Sequence, residues 1–205
     1  MVKVYSFDST SLGKLSVIKQ DIADNTASHF YNNKTLVHIT PHIENPNAIF
    51  KYDFDNVRTD YWHIDTDYIF AKAVFDPQKL LATPRRIYLQ NLRTHSEMRR
   101  KGLGREMVEF GACIAFERML PEMGLRYIND FLLGKERESF YRNLGFDITK
   151  NKECRDSFDC VAPVSLLLPS PPNKFTLDPV LSDEYNDKMQ GRRKPTEVHY
   201  NACKY

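Results

Sequence analysis

Met98-Arg99-Arg100-Lys101-Gly102-Leu103-Gly104-Arg105 leads into a long amphipathic stretch of this 205-residue chain. Leu103, Met107, Phe110 and Ile114 recur there at i, i+4, i+7 and i+11, the apolar stripe of a helix predicted from Gly102 to Leu120. A helix N-terminus leaves N–H groups unpaired and carries the positive end of a dipole, so it attracts anions. Glycine at 102 and 104 lets phosphate oxygens approach the backbone without meeting a Cβ. Arg99, Arg100 and Lys101 add positive charge to the same turn. The physics predicts a bound phosphate or diphosphate. Two common phosphate loops are excluded, since GxxxxGK[ST] occurs nowhere and GxGxxG would need glycine where Met107 stands. Taken alone, a GxG pair is more often a tight strand-to-helix turn than a ligand site.

Around this turn, strands alternate with helices. Upstream, residues 67–75 and Ile87–Leu92 read as strands, the first stopped by Asp76-Pro77. Downstream, Arg105 and Glu109 are spaced to pair on the exposed side of the helix, and Pro121 ends it. A strand at Arg126–Leu132 follows, then a short helix at Lys135–Asn143 with Gly145 as its C-cap. Strands at Phe146–Thr149 and Cys160–Leu168 complete one mixed sheet, an α/β pattern. In the N-terminal third, residues 1–7 and 34–40 read as strands and Leu12–Ala27 as a helix.

A second stretch, Ser139-Phe140-Tyr141-Arg142-Asn143-Leu144-Gly145-Phe146, bears on the first. Arg99-x-x-Gly102-x-Gly104 resembles the coenzyme A turn, [Q/R]xxGx[G/A], of the GNAT N-acetyltransferase superfamily, and the second stretch resembles that superfamily's FYxxxGF signature. The two stand in family order, and the resemblance spans about residues 67–168. It implies an α/β (α+β) domain over residues 1–168, with a single mixed, mostly antiparallel sheet flanked by helices. Residues 169–205 would be a Pro-rich and basic C-terminal extension.

The resemblance also implies a mechanism. Acetyl-CoA would lay its diphosphate on backbone N–H groups of Arg100, Lys101, Gly102, Leu103, Gly104 and Arg105, with Arg99 opening the motif. Its pantetheine arm would run beside Leu92, Arg93 and Thr94. An amine would enter between two splayed strands, here Ile87–Arg93 and Arg126–Leu132, and attack the thioester carbonyl directly in a ternary complex. The Leu92 N–H would hold the developing oxyanion. Tyr141 would protonate the departing thiolate, a task that suits a phenol with an ordinary pKa of about 10. The plain alternative for Tyr141 is aromatic packing, as expected of Phe140.

The chain departs from the family in three places. Many members carry a basic carboxylate on the strand before the turn, but Pro77 to Ser96 contains no Asp or Glu. Gln90 and Asn91 hold that region, and His63, His95 and Glu97 are the candidate substitutes. An acceptor with a lowered amine pKa, such as an α-amino group, needs no base. Gly134 and Arg137 stand where the family often has Asn and Ala, so Lys135 or Arg137 can meet phosphate instead. Residues 51–68 hold five Asp and five aromatics against two basic residues, which suits a cationic amine and equally a solvated loop. His38 and His42 lack a third ligand, and no metal is expected.

Composition narrows the class of function. With 29 Lys+Arg against 27 Asp+Glu, the net charge of +2 excludes bulk electrostatic binding to nucleic acid or membrane. No aromatic stacking cluster accompanies Arg99–Lys101 or Arg192–Lys194, so nucleic acid is expected only as charged RNA. The four cysteines form no CxxC pair, which argues against a disulfide framework or zinc site. No apolar run resembles a signal peptide or membrane span, and a cytoplasmic protein is expected. Five of eleven prolines fall between Pro163 and Pro179, where the folded body is expected to end before a short helix at 180–191 and a loose basic tail. The expected function is N-acetyl transfer from acetyl-CoA to an amine on a small molecule or protein. The alternatives are an idle CoA-binding module, and transfer to a protein N-terminus or charged RNA. A homodimer is left open.

Overall fold

The computed structural model describes residues 1–21, 34–44, 69–76, 85–128, 134–152 and 157–193. The elements in order are β1 (Val2–Ser9), β2 (Gly13–Asp21), β3 (Thr35–Pro41), β4 (Ala71–Asp76) and β5 (Arg86–Thr94), then α1 (Leu103–Glu117). They continue as β6 (Glu122–Ile128), α2 (Gly134–Asn143), β7 (Asp147–Lys150), β8 (Ser157–Pro163), a single turn α3 (Val164–Leu167), β9 (Thr176–Asp178) and α4 (Pro179–Arg193). The strands form one nine-stranded sheet in the order β7-β8-β6-β5-β4-β3-β2-β1-β9. Every pairing is antiparallel except that of β5 with β6. The mixed, mostly antiparallel sheet flanked by helices is therefore the observed fold.

α1 covers the middle of the sheet with the stripe read from the sequence: Leu103, Met107, Phe110 and Ile114 are all buried. Gly111 lies so close to the buried Phe75 ring of β4 that a Cβ there would overlap it. The helix stops at Glu117, three residues before the predicted end. Glu109 turns to Lys174, 2.7 Å away, rather than to Arg105. Glu106 in the first turn of α1 also pairs with Lys174. Burial raises the Glu106 pKa, against the opposing pull of Lys174.

Three local expectations are corrected. Of the residues predicted as a helix at Leu12–Ala27, Gly13–Asp21 form the second arm of a hairpin, with Ser9 paired to Gly13 and φ +72° at Gly13 closing the turn, and 22–27 lie outside the described residues. Leu15 to Gln20 are buried on both faces, so the run lacks the alternation that marks a half-exposed strand. The strand expected at Arg126–Leu132 begins earlier, at Glu122, and residues 129–133 lie outside the described ones. The strand expected at Cys160–Leu168 ends at Pro163, where Val164–Leu167 wind into α3.

The proline-rich stretch does not end the folded body. The chain crosses back to β1, where Val4 pairs with Asp178, and α4 then packs on the sheet. Val4 N–H donates to Ser182 Oγ at 2.9 Å, and Asn186 bonds the Val2 N–H and C=O at 3.0 and 2.8 Å. Leu181 and Tyr185 close a second apolar cluster with Val2, Val4, Ile18, Ile43 and Ile69. Residues 194–205 lie outside the described ones. No described helix is long and apolar enough to cross a membrane.

Candidate active site

The site arises where a ladder stops. β5 pairs with β4 as far as Thr94, but its parallel pairing with β6 ends at Leu89 opposite Leu125. β6 follows β8 instead, as far as Ile128. Gln90–Thr94 and Arg126–Ile128 are therefore not paired with each other. The unpaired stretch begins at a β-bulge: Asn91 lies opposite Val74 and Leu89 opposite Phe75, which leaves Gln90 as the extra residue. At the far end, His95 N–H donates to Phe70 O at 2.9 Å. Alternation along the strand then sends the Arg93 N–H toward β4 and those of Leu92 and Thr94 toward the gap.

Past Thr94 the chain makes one 3-10 turn, Ser96–Met98, and enters the anion turn. Arg100 and Gly102 both lie in the left-handed region, with φ of 61° and 85°. Glycine occupies that region without strain, whereas the Cβ of Arg100 makes it costly there. Gly102 caps α1 without a side-chain cap, and its carbonyl accepts from the N–H groups of Arg105 and Glu106 at 2.9 and 3.1 Å. The Arg105 N–H is thus already engaged. The donors open to an anion are those of the turn through Leu103 and Gly104, the kind that a helix leaves unpaired at its start. Arg99, Arg100 and Arg105 are exposed, while Lys101 is half-buried with Nζ 3.7 Å from Met98 Sδ.

The two sequence motifs meet in space. A Cβ on Gly104 would stand 3.1 Å from the Phe140 ring, so glycine there lets α2 approach the turn. Arg100 and Glu136 of α2 come within 3.5 Å, an exposed ion pair of little energetic weight. Next to Phe140, Tyr141 is buried, with its ring 5.9 Å from that of Tyr127 on β6 at an interplanar angle of 22°. Phe140 and Phe146 meet it edge-on at 5.0 and 5.6 Å. Burial, and next the nearby Cys160, raise the Tyr141 pKa, so the phenol keeps its proton at neutral pH. Burial also pushes the Cys113 and Cys160 thiols up to about 11 and about 12, which leaves neither as a thiolate nucleophile.

The remaining candidates divide. His95 caps the 3-10 turn, its Nδ1 accepting from the Glu97 N–H at 3.4 Å, and Glu97 is exposed. His63 and the acidic aromatic segment 51–68 lie outside the described residues. On α2, Lys135 is exposed and Arg137 half-buried. His38 is sealed in β3, its pKa pulled down to about 3 by burial and then by Lys72. His42 Nδ1 lies 3.3 Å from Ser16 Oγ. Among the described residues no cluster of three His, Cys, Asp or Glu could hold a metal.

Sequence reasoning missed two features beside the gap. A carboxylate does stand there: Asp76, one residue before the searched interval, accepts a hydrogen bond from Gln90 Nε2 at 2.9 Å. Only strand pairing, which sets β4 beside β5, could have revealed it. Tyr127, whose buried hydroxyl has no hydrogen-bond partner among the described residues, lies where β6 leaves β5.

No family model matches the chain, and no curated protein matches it. Solved structures do. An IAA acetyltransferase of Bacillus cereus is 10% identical at a TM-score of 0.46, over 72% of this chain and 99% of that one. A GNAT-family acetyltransferase of Listeria monocytogenes is 12% identical at 0.44, over 77% and 99%. A Bacillus subtilis acetyltransferase solved with CoA is 14% identical at 0.39, over 60% and 95%. Other matches are more partial, down to 54% of the neighbour's chain. Such loose superpositions assign no activity. These three solved structures are acetyltransferases, the Listeria one of the GNAT family, and the likeness is one of fold.

Proposed function

We propose that this protein is an N-acetyltransferase that moves the acetyl group of acetyl-CoA to an amine. The observation that carries the reading is the gap opening beyond Leu89, directly upstream of an anion turn whose N–H groups begin a helix. The residues present fit the cofactor, because Gly102, at positive φ and with open space where a Cβ would stand, admits a diphosphate to that backbone. Acetyl-CoA, when bound, supplies an acyl carbonyl activated as a thioester.

The chain's own groups have distinct tasks in this reading. N–H groups from Arg100 to Gly104 hold the diphosphate, with Arg99 and Lys101 adding charge. Leu92, Arg93 and Thr94 border the pantetheine arm, and the Leu92 N–H faces the developing oxyanion. Tyr141, on the helix-covered face, gives its proton to the sulfur as the C–S bond breaks. The amine enters from the opposite face, where Gln90 and Asp76 stand, and loses its proton to solvent or to Asp76 as the N–C bond forms. Asp76 favours a cationic acceptor, whether a small molecule or a protein amine.

A thermal-shift titration tests the cofactor: acetyl-CoA raises Tm, while ATP and NAD leave it unchanged. Absence of a shift at saturating acetyl-CoA overturns the reading. Binding without free-thiol release across a panel of polyamines, peptides and aminoacyl-RNA would identify the idle CoA-binding module instead.

A further inference from the structure

The hairpin between β1 and β2 reaches the anion turn. Ser11, at its tip, donates a hydrogen bond through Oγ to the Lys101 carbonyl at 2.6 Å, across 90 residues of sequence. The tip is built to stay in place. Gly13 closes it at φ +72°, the β1–β2 ladder runs out to Ser9 opposite Gly13, and Leu12 packs against the main core.

The Lys101–Gly102 peptide is planar and trans, so its C=O and N–H point in opposite directions. Anchoring the carbonyl toward the hairpin turns the Gly102 N–H away from it, toward the outer side of the turn. The flanking residues make this anchor consequential, because Arg100 and Gly102 both sit at positive φ. A left-handed Arg100 costs about 1 kcal/mol or more and persists only where its surroundings determine it. Without the anchor, the peptide between these residues is free to flip and bury the donor that an anion needs.

We propose that Ser11 is a positioning residue for the anion turn: by holding the Lys101 carbonyl it aims the Gly102 N–H at the diphosphate of the cofactor. The inference rests on the CoA reading above and adds a residue from the N-terminal hairpin to that site. Ser11 touches no reacting atom. Its contribution is to binding, not to chemistry.

The test is calorimetric titration of CoA into the full chain and into Ser11→Ala and Ser11→Thr. Ser11→Ala is expected to weaken CoA binding about fivefold, the scale of one lost hydrogen bond. Ser11→Thr, which keeps the hydroxyl, is expected to restore it to within about twofold of the parent. The unliganded Tm should be the same for all three, since Ser11 is exposed. Ser11→Ala binding as tightly as the parent overturns the inference while leaving the CoA reading intact. Equal weakening in both variants also overturns it, because the hydroxyl would then not be the agent. If the parent itself takes up no CoA, the reading of the cofactor fails and the inference falls with it.

Discussion

The two halves of the sheet handle their backbone differently. From β1 to β4 each strand is paired along nearly its whole length, and α4 seals the outer strands through Tyr185, Leu181 and hydrogen bonds from Ser182 and Asn186. Between β5 and β6 the ladder holds for only four residues and then stops. One half pairs its backbone strand to strand. In the function proposed above, the other presents N–H groups at Leu92, Thr94 and the start of α1 to a ligand. If the proposed function holds, the part that keeps the fold is separate from the part that does the chemistry, and substitutions should separate in the same way.

The largest expected effect is in the closed half. Tyr185→Ala empties a position that is only 2% exposed and should cost about 4 kcal/mol of stability, read from denaturant unfolding. CoA affinity of the fraction that remains folded should not change. A drop in that affinity would show that the halves are coupled.

Next comes the open half. Tyr141→Phe removes only a hydroxyl and should lower kcat about 100-fold with CoA binding and Tm unaltered. Turnover at the parent rate would return Tyr141 to the role of a packed aromatic, stacked on Tyr127.

The smallest effect is one of pH, and it again belongs to the closed half. His38 is sealed in β3 and its pKa is pulled down to about 3 by burial and Lys72. An unfolded histidine titrates near 6.5, so below that pH the unfolded chain binds a proton that the folded chain refuses. Stability is therefore full above about pH 6.5 and declines as pH falls toward 3, by about 2 kcal/mol at pH 5. Thermal unfolding followed from pH 7.5 to 5 should show the decline, and His38→Gln should flatten it. An unchanged Tm over that range would mean that His38 takes up its proton inside the fold.

The legible features of the sequence were those with local signatures. The stripe on α1, the glycines of the anion turn and the aromatic run around Tyr141 each follow from spacing over a few residues. β2 was misread because Leu15–Gln20 are buried on both faces, and such a run has no period of two. The role of residues 176–193 was hidden because prolines mark where a regular element ends, not where the chain goes next. Asp76 was missed for a related reason: it meets Gln90 only through β4–β5 pairing, and a search along one strand cannot see its neighbour. Ser11 shows the same limit over a longer span.

The pairing of β1 with β9 also bears on how the protein is made. Val4 finds its partner in Asp178, so the first strand has one edge open until residues 176–178 have been synthesised. Local hairpins such as β1–β2 can form early, but a contact of this sequence separation is slow and waits for the last strand to arrive. During that interval an apolar edge carrying Val2 and Val4 is available to other chains. Thr176, Leu177 and Asp178 close that edge when they pair with Ser6, Tyr5 and Val4.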